Sequence, residues 1–218
     1  MSHPQSPLDI TPTLLLRAYA GGVFPMSDGA ASDEIYWVDP KSRGIFDLDH
    51  FHVSRSMARF ARRTSLVVRV NSDFDGTVAG CADRPETWIN DRIFDLYGTL
   101  HRLGYAHSVE VWDRDLLVGG VYGVALGGAF FGESMFSRRT NASKLALMWL
   151  VARLRAGGYS LFDTQFITPH LATLGACEIS RAEYRRRLDT ALPLPGHFFA
   201  LDPKTSVDQV LQRITQTS

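Results

Sequence analysis

The chain has 218 residues, 45% hydrophobic and 21% charged, with 23 basic and 23 acidic side chains. That is room for one or two domains with a real core, and the neutral balance excludes bulk charge as a guide to polyanionic partners. No apolar run reaches the roughly 18 residues of a spanning helix, no basic-then-apolar leader opens the chain, and Cys81 and Cys177 form neither a CxxC nor a disulfide framework, so the expectation is a cytoplasmic protein off the membrane.

Met1 to Leu8 carry no periodicity and read as a frayed start. Thr11-Pro12 then opens a helix bearing Leu14, Leu15, Leu16, Ala18 and Tyr19, and Gly21-Gly22 ends it. Val23-Phe24-Pro25-Met26 reads as an apolar loop. The polar stretch from Asp28 to Glu34 is the best boundary, giving a small N-terminal domain over 1–34 and a larger one over 35–218. Gly44 to Leu48 is a short strand. Ser54 caps a helix on which Arg55, Arg59, Arg62 and Arg63 fall at i, i+4, i+7 and i+8, one face, with Met57, Phe60 and Ala61 opposite. No acidic residue interleaves these arginines, so phosphate binding stands beside the ordinary reading of a solvated face.

Ser65 to Val70 is a strand, Phe74 to Ala82 a short helix, and Ile93 to Leu103 an amphipathic helix closed by Gly104. The centre of the chain is His107 to Gln165: three apolar runs broken by Asp113-Arg114-Asp115 and by glycines, then a long helix from Ala142 to about Arg155, then a strand from Tyr159 to Gln165. Asn141 is the expected cap of the long helix, and Leu145, Met148, Trp149 and Ala152 its core stripe. Gly119, Gly120, Gly123 and Gly127 suggest a bulge or a backbone approached closely by a ligand. Pro169 to Leu174 is a short helix. Ser180 and Glu183 form a capping box for a helix whose arginines 181, 185, 186 and 187 read as a solvated face. Beyond Pro193 the chain is Pro-rich, then polar, and is expected to cover part of the core.

The chemistry narrows by elimination. His50 and His52 lack a third ligand at metal spacing, so no metal is expected. There is no GxxxxGK[ST], GxGxxG or GxSxG. What remains is carboxylates and an amide. Asp163 and Gln165, two apart on a strand, share a face, so Asp163 can hold Gln165. Glu133 ends a neighbouring strand. Such an acidic pocket suits binding and deprotonating an amine nucleophile. The competing reading is that both carboxylates merely cap loops.

Taken in order, the strings GGVFPM, YWVDPKSRG, HVSRSM, TWIN, HSVEVW, LVGGVYGV, GESMFS, NASK, FDTQ and LGACEI make the sequence resemble the leucyl/phenylalanyl-tRNA–protein transferase family over roughly Leu14 to Leu188. The resemblance implies an α/β (α+β) fold: an acetyltransferase-like mixed sheet flanked by helices, with a small N-terminal domain. It implies transfer of Leu or Phe, with Met a further candidate, from aminoacyl-tRNA to proteins with N-terminal Arg or Lys, which creates an N-degron. No cofactor is implied, and a monomer is expected. The resemblance places the reaction at Glu133, Asp163 and Gln165: Glu133 receives the acceptor, Asp163 orients Gln165, and Gln165 assists attack on the ester. It leaves open which group takes the amine proton. Trp88 resembles a contact to the terminal adenosine. Gly120, Tyr122, Ser134 and Phe136 are expected around the substrate side chain, and Arg55, Arg59, Arg62 and Arg63 on acceptor-stem phosphates. Many members carry Trp where this chain has Met26, which is still expected to line the donor pocket. Ser-Arg-Arg-Thr-Asn-Ala-Ser stands where acetyl-CoA enzymes of this fold carry a Gly-rich loop. The rival readings are an acyl-CoA-dependent amine acyltransferase and a non-catalytic tRNA-binding module.

Overall fold

The computed structural model describes residues 10–30, 32 and 34–215. The expected frayed start lies outside these residues, as do two positions of the 28–34 stretch. Helix α1 (Pro12–Ala20) begins where Thr11 Oγ1 accepts from the Leu14 N–H. Strands β1 (Phe24–Met26) and β2 (Tyr36–Val38) pair antiparallel, Phe24 opposite Val38. The expected apolar loop at 23–26 is therefore largely one strand of a paired ribbon, with Phe24 in the core and Met26 packed against it.

Next come β3 (Ser42–Phe46), α2 (Arg55–Arg63), β4 (Val67–Val70), α3 (Phe74–Ala82) and α4 (Asp91–Arg102). The meander follows as β5 (Ala106–Asp113), β6 (Leu116–Leu126) and β7 (Ala129–Ser137). Then come α5 (Ala142–Ala156), β8 (Leu161–Gln165), α6 (Pro169–Ala172), β9 (Ala176–Ser180), α7 (Arg181–Ala191) and α8 (Val207–Thr215). Strands β3 to β9 form one sheet ordered β4-β5-β6-β7-β8-β3-β9. Only β7 and β8 run parallel, joined by the α5 crossover, and the other neighbours are antiparallel. This is the mixed, helix-flanked α/β sheet that the sequence predicted.

One core cluster joins Met57 and Ala61 of α2, most of α5, and Val210, Leu211 and Ile214 of α8. The other joins Leu15 and Tyr19 of α1, the inner faces of α3 and α4, and Tyr184 and Leu188 of α7. Helix α5 is buried on nearly every side, because α8 covers the face that a two-layer fold would leave wet. The expected four-residue stripe was too narrow, and Trp149 is the one member of it left only partly buried. Asn141 holds the N-cap position of α5, its carbonyl accepting the Leu145 N–H, but its backbone is left-handed (φ 67°) and its side chain makes no capping hydrogen bond. Ser137 Oγ takes the Ser143 N–H instead. In α7, Ser180 Oγ accepts the Glu183 N–H, while the Glu183 carboxylate turns to Arg186 and Arg187 rather than closing a box.

Two irregularities position the site. In the β6–β7 ladder Tyr122 faces Ser134 and Gly123 faces Gly132, so Glu133 is an extra residue with no opposite number, a β-bulge. The β7–β8 pairing then stops after Phe131 and Asp163, and the strands part. Glu133 and Gln165 lie just beyond that point, one on each side of the gap. The glycines of β6 serve this packing rather than a ligand: a Cβ on Gly119 would lie 2.5 Å from the Ala142 Cβ, and one on Gly123 would lie 2.2 Å from the Phe131 carbonyl oxygen. Gly123→Ala therefore cannot be accommodated without shifting the bulge. It is expected to lower stability by about 1–3 kcal/mol in urea unfolding, an overpacking cost.

Candidate active site

Glu133 is held by two phenols. Tyr19 Oη of α1 donates to Oε1 and Tyr97 Oη of α4 to Oε2, each at 2.7 Å, and the two hydroxyls are 2.5 Å apart. Burial raises both phenols well above the ordinary tyrosine value, so they remain donors. Burial likewise raises the Glu133 carboxyl to about 7, while the phenol hydrogen bonds and Arg43 pull it down and Asp163 adds to the rise. The bulge aims Glu133 at these phenols: it inserts Glu133 between Gly132, which faces Gly123, and Ser134, which faces Tyr122.

Asp163 is wholly buried, and Arg43 of β3 grips it with Nε to Oδ1 at 2.9 Å and Nη2 to Oδ2 at 2.6 Å. Tyr184 Oη donates to Oδ2 at 2.8 Å, and the Gln165 backbone N–H donates to Oδ1 at 2.8 Å. Arg43 also donates to the Gly22 carbonyl and lies over the rings of Phe24 and Tyr184. Asp163 thus holds Gln165, as the sequence suggested, but through the backbone rather than the side chain. That bond fixes Gln165 in the left-handed region (φ 56°), an uncommon conformation for a residue with a Cβ. The Gln165 amide then reaches Glu133, Nε2 to Oε1 at 3.4 Å.

On the α5 side of the parted strands is a cavity of about 80 Å³, lined by Phe46, Val121, Glu133, Met135, Leu147 and Phe162 among others. Thr164 also lines it, with a buried hydroxyl that has no partner. A larger hollow of about 620 Å³ lies between residues 27–30 and 82–88 and includes Trp88. Another, about 680 Å³ beside Tyr105, His107 and Phe199, is lined by residues at the opposite end of the meander.

The structure brings Glu133, Asp163 and Gln165 together. Ser134 is on the cavity wall. Gly120, Tyr122 and Phe136 are not: all three are buried, and a Cβ on Gly120 would meet Thr77 and Phe136 on the α3 side of the sheet. Strand parity sets these three on the α3 side while their neighbours Val121 and Met135 face α5; Ser134 has the same parity, and its hydroxyl bonds Cys81 of α3. Trp88 packs edge-on to Tyr97, and Met26 is partly buried against the same core. Arg55, Arg59, Arg62 and Arg63 are exposed on α2, with Arg62 paired to Asp208 of α8 at 2.7 Å. The other arginine group is a solvated face: Arg181 and Arg185 pair with Asp39, and Arg186 and Arg187 with Glu183. Among the described residues there is no group of three or more His, Cys, Asp or Glu placed to hold a metal. Sequence reasoning missed Arg43, Tyr19, Tyr97 and Tyr184. The available signal for Arg43 was a lone arginine opening an apolar strand.

Two stability outcomes follow. Arg43→Met leaves Asp163 buried without its cation and is expected to cost about 3–5 kcal/mol in denaturant unfolding. Glu133 has a raised folded pKa, so its contribution to stability is present below the unfolded value and is lost as pH rises through about 7. Glu133→Gln should therefore melt higher than the parent at pH values above 7, by on the order of 3 kcal/mol, with the advantage gone in mild acid. A thermal-melt series against pH checks this.

A family model described as leucyl/phenylalanyl-tRNA protein transferase matches residues 45–189, and a second, for the N-terminal domain of the same proteins, matches residues 8–41. The chain is 61% identical over 213 residues to a leucyl/phenylalanyl-tRNA–protein transferase of Cereibacter sphaeroides, covering 98% of this chain and all of the relative. It is 62% identical to the protein of that name in a Ruegeria species, over 97% of this chain and all of the relative. A Dinoroseobacter shibae relative of the same name is 60% identical over 87% of this chain and 85% of its own length. With both models matched in order and the aligned relatives spanning nearly the whole sequence, this chain belongs to the leucyl/phenylalanyl-tRNA–protein transferase family.

Proposed function

We propose that this chain transfers Leu or Phe from aminoacyl-tRNA to the α-amino group of proteins that begin with Arg or Lys, marking them for N-degron proteolysis, and that it works as a cytoplasmic monomer. One observation carries the reading: beside the parted β7–β8 strands Glu133 lines an apolar cavity, with the Gln165 amide 3.4 Å from its carboxylate. An aminoacyl ester with its side chain in that cavity would present its carbonyl beside an acidic, amide-bearing site, where a cationic amine is welcome. The ester is already activated, so positioning supplies much of the rate.

The side-chain wall is Val121, Met135, Leu147 and Phe162 rather than Gly120, Tyr122 and Phe136. The hollow at Trp88 has room for the terminal adenosine, with Met26 nearby in the core beneath it. Arg55, Arg59, Arg62 and Arg63 are a surface for phosphates, read by charge and not by sequence. Acetyl-CoA is disfavoured by the loop before α5. There Ser137 Oγ already takes an N–H from the first turn of α5, and Arg138 and Arg139 are paired with Asp83 and Asp113.

The decisive experiment measures label transfer from Leu-tRNA to peptides beginning with Arg, Lys, Asp or Ala. Label on Arg and Lys peptides alone, lost in Asp163→Ala, is the expected result. Tight tRNA binding with no label on any peptide would leave a binding module. Leu-tRNA should exceed Ile-tRNA in kcat/KM by about 10–200-fold, the range that a shaped apolar pocket can supply. Arg55→Glu with Arg59→Glu should weaken tRNA binding and flatten its salt dependence, with the melting temperature unchanged.

A further inference from the structure

We propose that the proton leaving the acceptor amine passes to Glu133, and that Asp163, the other carboxylate of the site, is a fixed anion whose work is to position Gln165. This rests on the transferase reading above and assigns the proton within it.

The two carboxylates differ in what their oxygens have left to accept. Asp163 is 0% exposed, and its oxygens already take two bonds from Arg43, one from Tyr184 and one from the Gln165 N–H. Those bonds fill its good acceptor directions, so a proton could enter only by displacing the arginine fork. Glu133 is part-exposed, and each of its oxygens holds a single phenol. The remaining bond, from Gln165 Nε2 at 3.4 Å, is long and easily yielded. Because that amide turns its nitrogen toward Glu133, its oxygen is left to accept an N–H from the incoming amine.

The charged and titratable groups facing Glu133 are Tyr19 from α1, Tyr97 from α4, Tyr122 from β6, Arg43 from β3 and Asp163 from β8. The three tyrosines are raised by burial and stay neutral. Arg43 and Asp163 form an ion pair with each other. Glu133 is raised to about 7 and, unlike Asp163, has no cation bound to its oxygens. An ordinary α-amino group titrates at about 7.7–8.0, close enough for proton transfer to be nearly level in energy.

The step balances as follows. An N–H bond of the acceptor ammonium breaks, the proton goes to a Glu133 oxygen, and the electron pair stays on nitrogen. That pair forms the bond to the ester carbonyl carbon, and the carbonyl π pair moves to oxygen. Collapse of the adduct breaks the bond from carbon to the ribose oxygen, which takes a second proton from the nitrogen. Glu133 returns its proton to solvent. One ester and one ammonium become one amide, one ribose hydroxyl and one released proton.

The experiment is kcat/KM for Leu transfer to an Arg-initiated peptide, measured against pH. The wild type is expected to give a bell, rising near 7 with Glu133 and falling as the free amine loses its own proton. Glu133→Gln should fall by about 10²–10⁴-fold and follow only the ionisation of the amine. Asp163→Asn should lose rate yet keep the bell. A peptide ending in an aminooxy group, uncharged at neutral pH, should bring Glu133→Gln back to within about tenfold of the wild type, because no ammonium proton needs removing. A bell that survives in Glu133→Gln, a rising limb that vanishes in Asp163→Asn, or no rescue by the aminooxy peptide would overturn the assignment. A wild type that transfers nothing would instead overturn the transferase reading.

Discussion

Arg43 and Asp163 are nearly inaccessible to water, and the geometry of the site depends on their bidentate contact. Burying two ions is costly, and the cost is offset only when the fork is well aligned and the remaining polar positions are filled. Here they are filled from separate parts of the chain: Gly22 after α1, Tyr184 on α7 and the Gln165 backbone on β8. The pair thus joins the N-terminal helix, the inserted β3, the crossover strand and a C-terminal helix at one point. It also explains why β3 belongs between β8 and β9, since from there Arg43 reaches the aspartate.

Around that fixed point the sheet supplies two local departures from regularity. The bulge at Glu133 turns a strand residue toward the phenols of α1 and α4, and the end of the β7–β8 ladder opens a gap beside it. Neither device uses a long loop. Glu133 and Gln165 are therefore carried on strands that are paired on at least one side, where small displacements are resisted by the whole ladder.

The sequence revealed much of the fold because its signals were local. The capping residues Thr11 and Ser54, the glycines after α1 and α4, and the meander turns each act within a few residues. The helical face of Arg55, Arg59, Arg62 and Arg63 was equally plain. What stayed hidden depended on partners far away in the chain. Strand β9 is short and mostly exposed, so its pattern is that of a loop until β3 pairs with it. A cover for part of the core is expected beyond Pro193, but that it is helix α8 lying on α5 depends on contacts distant in the chain. Among site residues, Glu133, Asp163 and Gln165 stood out as polar groups in apolar surroundings. Tyr19, Tyr97 and Tyr184 looked like ordinary core aromatics, because nothing in a tyrosine's neighbours tells where its hydroxyl will end. Gly120, Tyr122 and Phe136 share strands with the cavity's lining residues but face α3, a difference of parity that depends on register.

Tyr19 belongs to the segment matched by the N-terminal family model, whereas Glu133 belongs to the segment matched by the other. A single hydroxyl from the first thus finishes the electrostatics of the second. The early helix works as a plug in the floor of the site: drawn outward, it would let water reach the carboxylate and return its acidity to that of any exposed glutamate. The acidity of Glu133 is in this sense a gauge of how firmly the first helix is seated.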